Sequence, residues 1–252
     1  YAKLGNTEKF PLYVQAGKWP MPFGNFDTDM SADPLTLELG ETKEKAVMVG
    51  AVLGGLSAHA YVYNGDTRQS AASDHIDQFG VAVDYEAEFN GASFSVGAGY
   101  INNLADSDNL TTALGGNSTG LSNYVPGFEA HGAFKLAGFT LRGGYMTATR
   151  AFQAGELAFA GRGAEPAAWH TELAYTTPIH ERDVTFALTA QGTEEALALG
   201  LPERRIGGAV TVAVIEHASV TLEYLNDDDY SVGDGGTGAT GHTGTVKLAV
   251  EF

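Results

Sequence analysis

Apolar and polar positions alternate with a period of two from one end of the chain to the other. In "DQFGVAVDYEAEF" Phe79, Val81, Val83, Tyr85, Ala87 and Phe89 share one face, opposite Gln78, Gly80, Ala82, Asp84, Glu86 and Glu88. A helix would scatter these sets around its axis, whereas a strand separates them. Asn90-Gly91 follows, a strong signal for a two-residue hairpin, and "SFSVGAGY" then alternates again. The unit recurs. "FEAHGAFKL" turns at Ala137-Gly138 into "FTLRGGYMTA", "AWHTELAYT" passes through "TPIHER" into "VTFALTAQ", and "RIGGAVTVAVI" passes through "EHA" into "SVTLEYL". With "LYVQAGKW", a pair split at Gly54-Gly55 and the closing "TVKLAVEF", the pattern predicts roughly twelve strands of about 9–11 residues, long enough to cross a bilayer at a barrel's tilt.

The charge-free run at 46–65, "AVMVGAVLGGLSAHAYVYNG", has the length of a membrane helix. Gly54-Gly55 interrupts it and His59 and Asn64 make it polar, so it reads as two strands and a turn. Connection lengths alternate too. Short turns at 54–55, 90–91, 137–138, 178–182 and 216–218 separate long loops at 20–43, 65–75, 104–126, 150–166, 192–203 and 227–241. An outer-membrane barrel sorts its loops in this way, with short periplasmic turns and long outer loops. The predicted fold is therefore all-β, an antiparallel transmembrane β-barrel of roughly twelve strands or a larger even number. A soluble β-sandwich is the alternative, because alternation does not say whether the apolar face meets lipid or a second sheet.

Two features favour lipid. Trp19, Phe89, Tyr100, Phe128, Phe139, Trp169, Tyr175 and Tyr224 fall near strand ends, where interfacial girdles belong. Val246, Leu248, Val250 and Phe252 alternate outward to a terminal Phe, an ending that resembles the C-terminal signal strand of bacterial outer-membrane proteins. The inward face then carries Asp84, Glu86, Glu88, Glu129, His131, Lys135, Arg142, His170, Glu172, Glu223, Lys247 and Glu251, which suits a wet channel or a closed barrel stitched by ion pairs.

Composition narrows the chemistry. There are 33 glycines against 8 prolines, normal for strands and tight turns, and no cysteine, which removes disulfides, thiolate metal sites and a cysteine nucleophile. The net charge of −17 leaves no basic stripe for nucleic acid. No HExxH occurs, and "GAGY" and "GGYMTATR" lie inside alternating strands, so no enzyme is expected. "NDDDYSVGDGG" places Asp227, Asp229 and Asp234 at spacings that could gather Ca²⁺, without the glutamate that closes a calcium loop; a solvated acidic hairpin tip is the plainer reading. His59, His131 and His170 fall on inward positions, where a transition metal or ferric chelate is one use and plain lumen wetting another; Tyr61 and Tyr63 share that face and could stack on a catecholate. The stretches 150–161 and 193–205 have helical character and suit short helices at the outer mouth, as docking surfaces for a partner.

"LGNTEKFPLYVQAGKW", "PFGNF", "DPLTLELGET" and "YVYNGD", dense over residues 4–66, together resemble the LbtU-type siderophore porin family of Gram-negative outer membranes. The resemblance implies an outer-membrane porin that takes up ferric siderophores without a plug domain. Members of that family are longer at the N-terminus, so "YAKL" is expected to be the tail of a strand whose beginning lies outside residues 1–252, and the chain is expected to be one barrel domain. The partners implied are outer-membrane lipid and lipopolysaccharide, a small solute or ferric siderophore, and another protein or a second copy of the chain. A closed structural barrel that anchors a partner is the other function open to it.

"PFGNFDTDMSADPLTLELGET" at 22–42 lies between the first two long strands, and Pro20, Pro22 and Pro34 bar regular structure over much of it. It either covers the mouth or folds inside as a constriction. In the second case Phe23, Asn25, Asp27, Asp29, Asp33, Glu38 and Glu41 would line the narrowest point, and the acids would favour cations.

Overall fold

The computed structural model describes residues 1–70, 75–116 and 120–250. Among them thirteen strands form one antiparallel meander in which each strand pairs with its neighbours in chain order. β1 (Ala2–Leu4) and β2 (Leu12–Pro20) open the sheet, followed by β3 (Lys43–Leu53) and β4 (Leu56–Tyr63). A two-residue strand β5 (Arg68–Gln69) lies in the next loop, before β6 (Gln78–Phe89) and β7 (Ala92–Ile101). A second short strand, β8 (Gly120–Leu121), precedes β9 (Gly127–Leu136) and β10 (Phe139–Ala148). β11 (Ala158–Phe159) and β12 (Arg162–Gly163) form a small ladder of their own, and β5 pairs with β8 in parallel. β13 (Ala167–Ile179), β14 (Arg182–Glu194), β15 (Arg204–Ile215), β16 (Ala218–Asp228) and β17 (Thr240–Val250) complete the sheet.

The thirteenth strand of the sheet, against roughly twelve expected, is the three-residue β1. No ladder joins β1 to β17 among the described residues. Glu251 and Phe252, and with them the terminal aromatic, lie outside those residues.

The turns have the chemistry their brevity demands. Asn90 and Gly91 both take positive φ, 49° and 80°, as do Ala137 and Gly138, 50° and 84°. That geometry matches the right-handed twist of the flanking strands. Every long connection leaves from the opposite end of the sheet.

One face of the sheet is apolar and open, with Leu141, Leu173 and Leu188 aligned on adjacent strands at 51%, 45% and 65% exposure. Side chains on the other face are largely covered by the long loops. Large inward side chains lie over glycines of the next strand. A Cβ on Gly80 would stand 2.3 Å from the Tyr61 ring, and one on Gly97 would stand 2.3 Å from His131 Cε1.

Three expectations need correction. Trp19 is no girdle residue: it shares the parity of Tyr13 and Gln15, faces inward at 9% exposure and meets the Tyr1 ring edge-on. The loops at 150–161 and 193–205 hold no α-helix; the first contains β11 and the second a single 3₁₀ turn at Leu197–Leu199. Helices form elsewhere, at α1 (Leu35–Gly40) and α2 (Asp108–Ala113), both six residues long. Pro34 does not bar α1 but stands at its N-cap, where a missing N–H costs nothing.

An outward face that meets lipid makes a specific prediction. Leu173→Arg, placed mid-strand, should destabilise the protein in phospholipid vesicles by about 2–4 kcal/mol, the cost of a cation near the bilayer midplane. Urea unfolding of the reconstituted protein measures this, and an unchanged midpoint would place that face in water.

Candidate functional site

Residues 21–42 leave β2 and return to β3 through a closed base, where Met21 N–H donates to Thr42 O at 2.8 Å. Between these points the segment crosses the concave face and is held by the far wall. Asp29 N–H donates to Glu172 Oε1 at 2.9 Å and Thr28 Oγ1 donates to the other oxygen of that carboxylate. Ser31 N–H and Ala32 N–H converge on Glu223 Oε2 at 2.6 and 3.1 Å. Leu35 N–H donates to Gln191 Oε1 at 2.8 Å, and Thr36 Oγ1 meets His170 Nδ1 at 2.8 Å. Met30 packs among Ala174, Ala187, Ala209 and Leu225 of β13 to β16. A loop with few backbone partners of its own thus gives its N–H groups to buried carboxylates, which are strong acceptors. The charges are balanced locally, with Arg142 2.7 Å from Asp29 and 3.3 Å from Glu172.

The acids of the segment divide accordingly. Asp29 is spent on Arg142, Glu38 accepts from Asn109, and Glu41 pairs with Lys43 at 2.7 Å. Phe23 is 1% exposed in the apolar cluster and lines nothing. Asp33 is exposed. Asn25 and Asp27 line a cavity of about 480 Å³ that lies toward the short turns. Its other walls include Glu86, Glu88, Ser93, His131, Lys135, Arg142 and His170. Glu86, Glu88, Asp27 and Lys135 form no ion pair among the described residues, so three free carboxylates face one free ammonium. Asp84 takes His131 at 3.2 Å, and Glu129 takes the other ring nitrogen at 2.9 Å. Lys247 projects inward from β17 with no ion pair among the described residues.

Toward the long loops the concave side is filled with apolar side chains. Trp19, Phe23, Leu39, Tyr61, Tyr63, Leu104, Leu110, Leu121, Met146, Phe152 and Leu157 form one buried cluster. Tyr61 and Tyr63 are 2% and 0% exposed, which removes them as a stacking surface for a ligand. The three inward histidines do not all converge on one group: His59 meets Tyr13 Oη at 3.0 Å and lies 3.8 Å from Asp84, which His131 also approaches at 3.2 Å, while His170 meets Thr36. Asp227, Asp229 and Asp234 are also separated. Asp227 forms a two-pronged pair with Arg205, Asp229 accepts from Thr237 N–H at 2.7 Å, and Asp234 accepts from Ser231 Oγ at 2.7 Å. No group of three or more metal-ligating side chains occurs among the described residues.

Asp106 is the feature that sequence reading passed over. It is 2% exposed in the loop after β7, where its Oδ1 accepts from both the N–H and the hydroxyl of Thr67 at 2.7 Å. Asp106 Oδ2, Asn103 Oδ1, Tyr63 Oη and Tyr61 Oη are buried without a hydrogen-bond partner among the described residues. Burial pushes the Asp106 carboxyl up to about 7, against the lowering effect of the two Thr67 bonds. No motif flags this residue, since its burial depends on loops distant in sequence.

Outside the molecule, no family model matches the chain. A UPF0422 protein of Coxiella burnetii is 33% identical over 237 residues, covering 92% of this chain and 50% of that protein. A UPF0422 protein of Legionella pneumophila is 29% identical over 255 residues, 95% of this chain and 47% of the relative. The chain therefore spans about half the length of the curated relatives it matches. Among solved structures, the outer-membrane channel DcaP of Acinetobacter baumannii superposes with a TM-score of 0.58 at 13% identity, over 94% of this chain and 70% of DcaP. Pseudomonas putida OprB gives 0.59 at 11% identity, over 99% and 71%. These likenesses show the fold, an antiparallel β-barrel of the porin kind.

Two predictions follow from the contacts. Glu223→Ala leaves the Ser31 and Ala32 N–H groups without acceptors, at about 1–3 kcal/mol for each group left buried. Limited proteolysis should then cut within 25–34 in the variant and spare the parent protein. For Asp106, the folded carboxyl holds its proton above the ordinary carboxylate range. The folded protein therefore binds a proton that the unfolded chain has released, and stability falls as pH rises between about 4 and about 7. Asp106→Asn should flatten that part of the profile, read as the difference in thermal midpoint between variant and parent at about pH 5 and about pH 8.

Proposed function

We propose that the chain is a single outer-membrane barrel domain that passes small solutes, with a ferric siderophore as one class of cargo, in the outer membrane of a Gram-negative bacterium. The observation that carries the reading is the 21–42 segment crossing the concave face to Glu172 and Glu223. A loop seated inside a barrel on polar contacts narrows the passage and sets its field, which is how pores select. The apolar outward face, the porin-like fold and relatives in Gram-negative bacteria support the location. The siderophore rests on the resemblance of residues 4–66 to LbtU-type porins, and nothing in the cavity is specific to a ferric chelate.

The free charges set the expected selectivity. Asp27, Glu86 and Glu88 outnumber Lys135 around the 480 Å³ cavity, so its field attracts cations. Asp29, Glu38 and Glu41 add little, each already paired. One observation favours a second reading, a closed barrel that anchors a partner: the apolar cluster under the long loops leaves no wet path through the part of the lumen it fills.

Conductance in a planar bilayer separates the two. A pore should show steady cation-selective current that a ferric siderophore blocks, and the triple substitution Asp27→Asn, Glu86→Gln and Glu88→Gln should move the cation-to-anion permeability ratio toward one. A bilayer that stays tight at every voltage sinks the channel reading and leaves the closed barrel. Current that no siderophore alters removes the siderophore and keeps the porin.

A further inference from the structure

The outward face of the sheet is almost free of charge, and its exceptions lie at the rims. On β2 and β3 the outward positions include Val14, Ala16, Val47 and Val49, then Lys18 and Lys45 toward the long loops. Lys18 and Lys45 are directly opposite each other across the β2–β3 ladder. Both are exposed, and neither forms an ion pair among the described residues. Like charges directly opposite on neighbouring strands repel and weaken the pair. Only 14 of the 252 residues are Lys or Arg in a chain of net charge −17, so two opposed ammonium groups without an ion pair are a local concentration of positive charge on the outward face. The next outward residue on β3, Lys43, is neutralised by Glu41 at 2.7 Å. On the far side of the sheet the outward rim charges Arg204 and Asp228 are cross-strand partners of opposite sign.

We infer that Lys18 and Lys45 form a site for the phosphorylated headgroup of an outer-leaflet glycolipid, with its acyl chains laid along Ala16, Val14, Val47 and Val49. This rests on the outer-membrane reading above. Charge and polarity agree on the occupant. A bis-phosphorylated headgroup supplies the anions that two opposed lysines lack, and the strip directly below them is apolar and open, which a free phosphate would leave bare. The site lies at the long-loop end, the end that faces outward in barrels of this kind. A cleft of about 280 Å³ beside the lysines adds Arg68 to their side, together with Glu44, Asp66 and Asp77. Those three acids disfavour a naked phosphate and suit one that carries a divalent counter-ion. The lysines thus serve as an anchor that fixes the height and rotation of the barrel in an asymmetric membrane.

The test uses the full chain purified in detergent and native mass spectrometry with bis-phosphorylated lipid A. The variants are Lys18→Gln with Lys45→Gln, and Arg182→Gln, an outward cation at the short-turn end. The parent protein and the Arg182→Gln variant should retain lipid A on the order of tenfold more than the double variant, since each lysine near an anionic headgroup adds to its binding. The parent should also prefer it to lipid A stripped of phosphate. Equal retention by parent and double variant overturns the site. So does an equal loss in Arg182→Gln, which would mark unspecific charge, or displacement by inorganic phosphate at matching concentration. Heat-modifiable migration on gels confirms that each variant is folded. A chain that binds lipid A but carries no current keeps this site and loses only the channel. A chain that conducts yet binds no better than its double variant loses only the site.

Discussion

The requirement that every buried backbone N–H and C=O find a partner governs this structure. A β-sheet satisfies it only through continuous ladders, and the thirteen-stranded meander supplies them by pairing each strand with its chain neighbours. The period of two then follows, because one set of side chains faces outward and the other the interior. The cost appears on the concave side. Large side chains such as Tyr61 and His131 fit there because Gly80 and Gly97 stand opposite them, so the glycine content is part of the packing as well as of the turns.

The same requirement explains the interior segment. Its first half has no ladder to join, and its amides would be orphaned if it simply lay across the lumen. Glu172 and Glu223 resolve this by accepting its N–H groups, and Arg142 neutralises the first of them. Carboxylates on the inner wall therefore act as docking points for backbone as well as field-setting charges. Of the inward acids, those near the short turns, Glu86 and Glu88, form no ion pair among the described residues and line the cavity instead.

Strands, turns and the ordering of loops were legible because they depend on neighbours in sequence: alternation fixes the faces, and Asn90-Gly91 or Ala137-Gly138 fixes a hairpin. The fate of 22–42 was not legible. Its acids gave no sign of which were free, because their partners lie far along the chain, at Arg142 for Asp29 and Asn109 for Glu38. Trp19 differs for a related reason: it stands near a strand end, but its parity with Tyr13 and Gln15 decides the face. Asp106 was invisible because no local pattern reports burial by loops. Helical composition at 150–161 and 193–205 was overridden by tertiary pairing, while α1 formed behind a proline that looked like a breaker.

The interior segment is held in two physically different ways, and this sets what can move. From Phe23 and again from Leu35 to Leu39 it is anchored by apolar burial, which is not relieved by exchanging one polar partner for another. Between them, residues 25–34 are held mainly by hydrogen bonds and one salt bridge, with Met30 the main buried apolar contact. Water or a charged solute can replace such polar contacts at little net cost, since a hydrogen bond exchanged for one to water changes the free energy only modestly. Local opening is therefore cheapest at 25–34, the portion that borders the cavity through Asn25 and Asp27. The apolar cluster beneath the long loops stays rigid while this stretch yields. The most exchangeable contacts of the segment therefore lie beside the cavity, and the least exchangeable ones lie away from it.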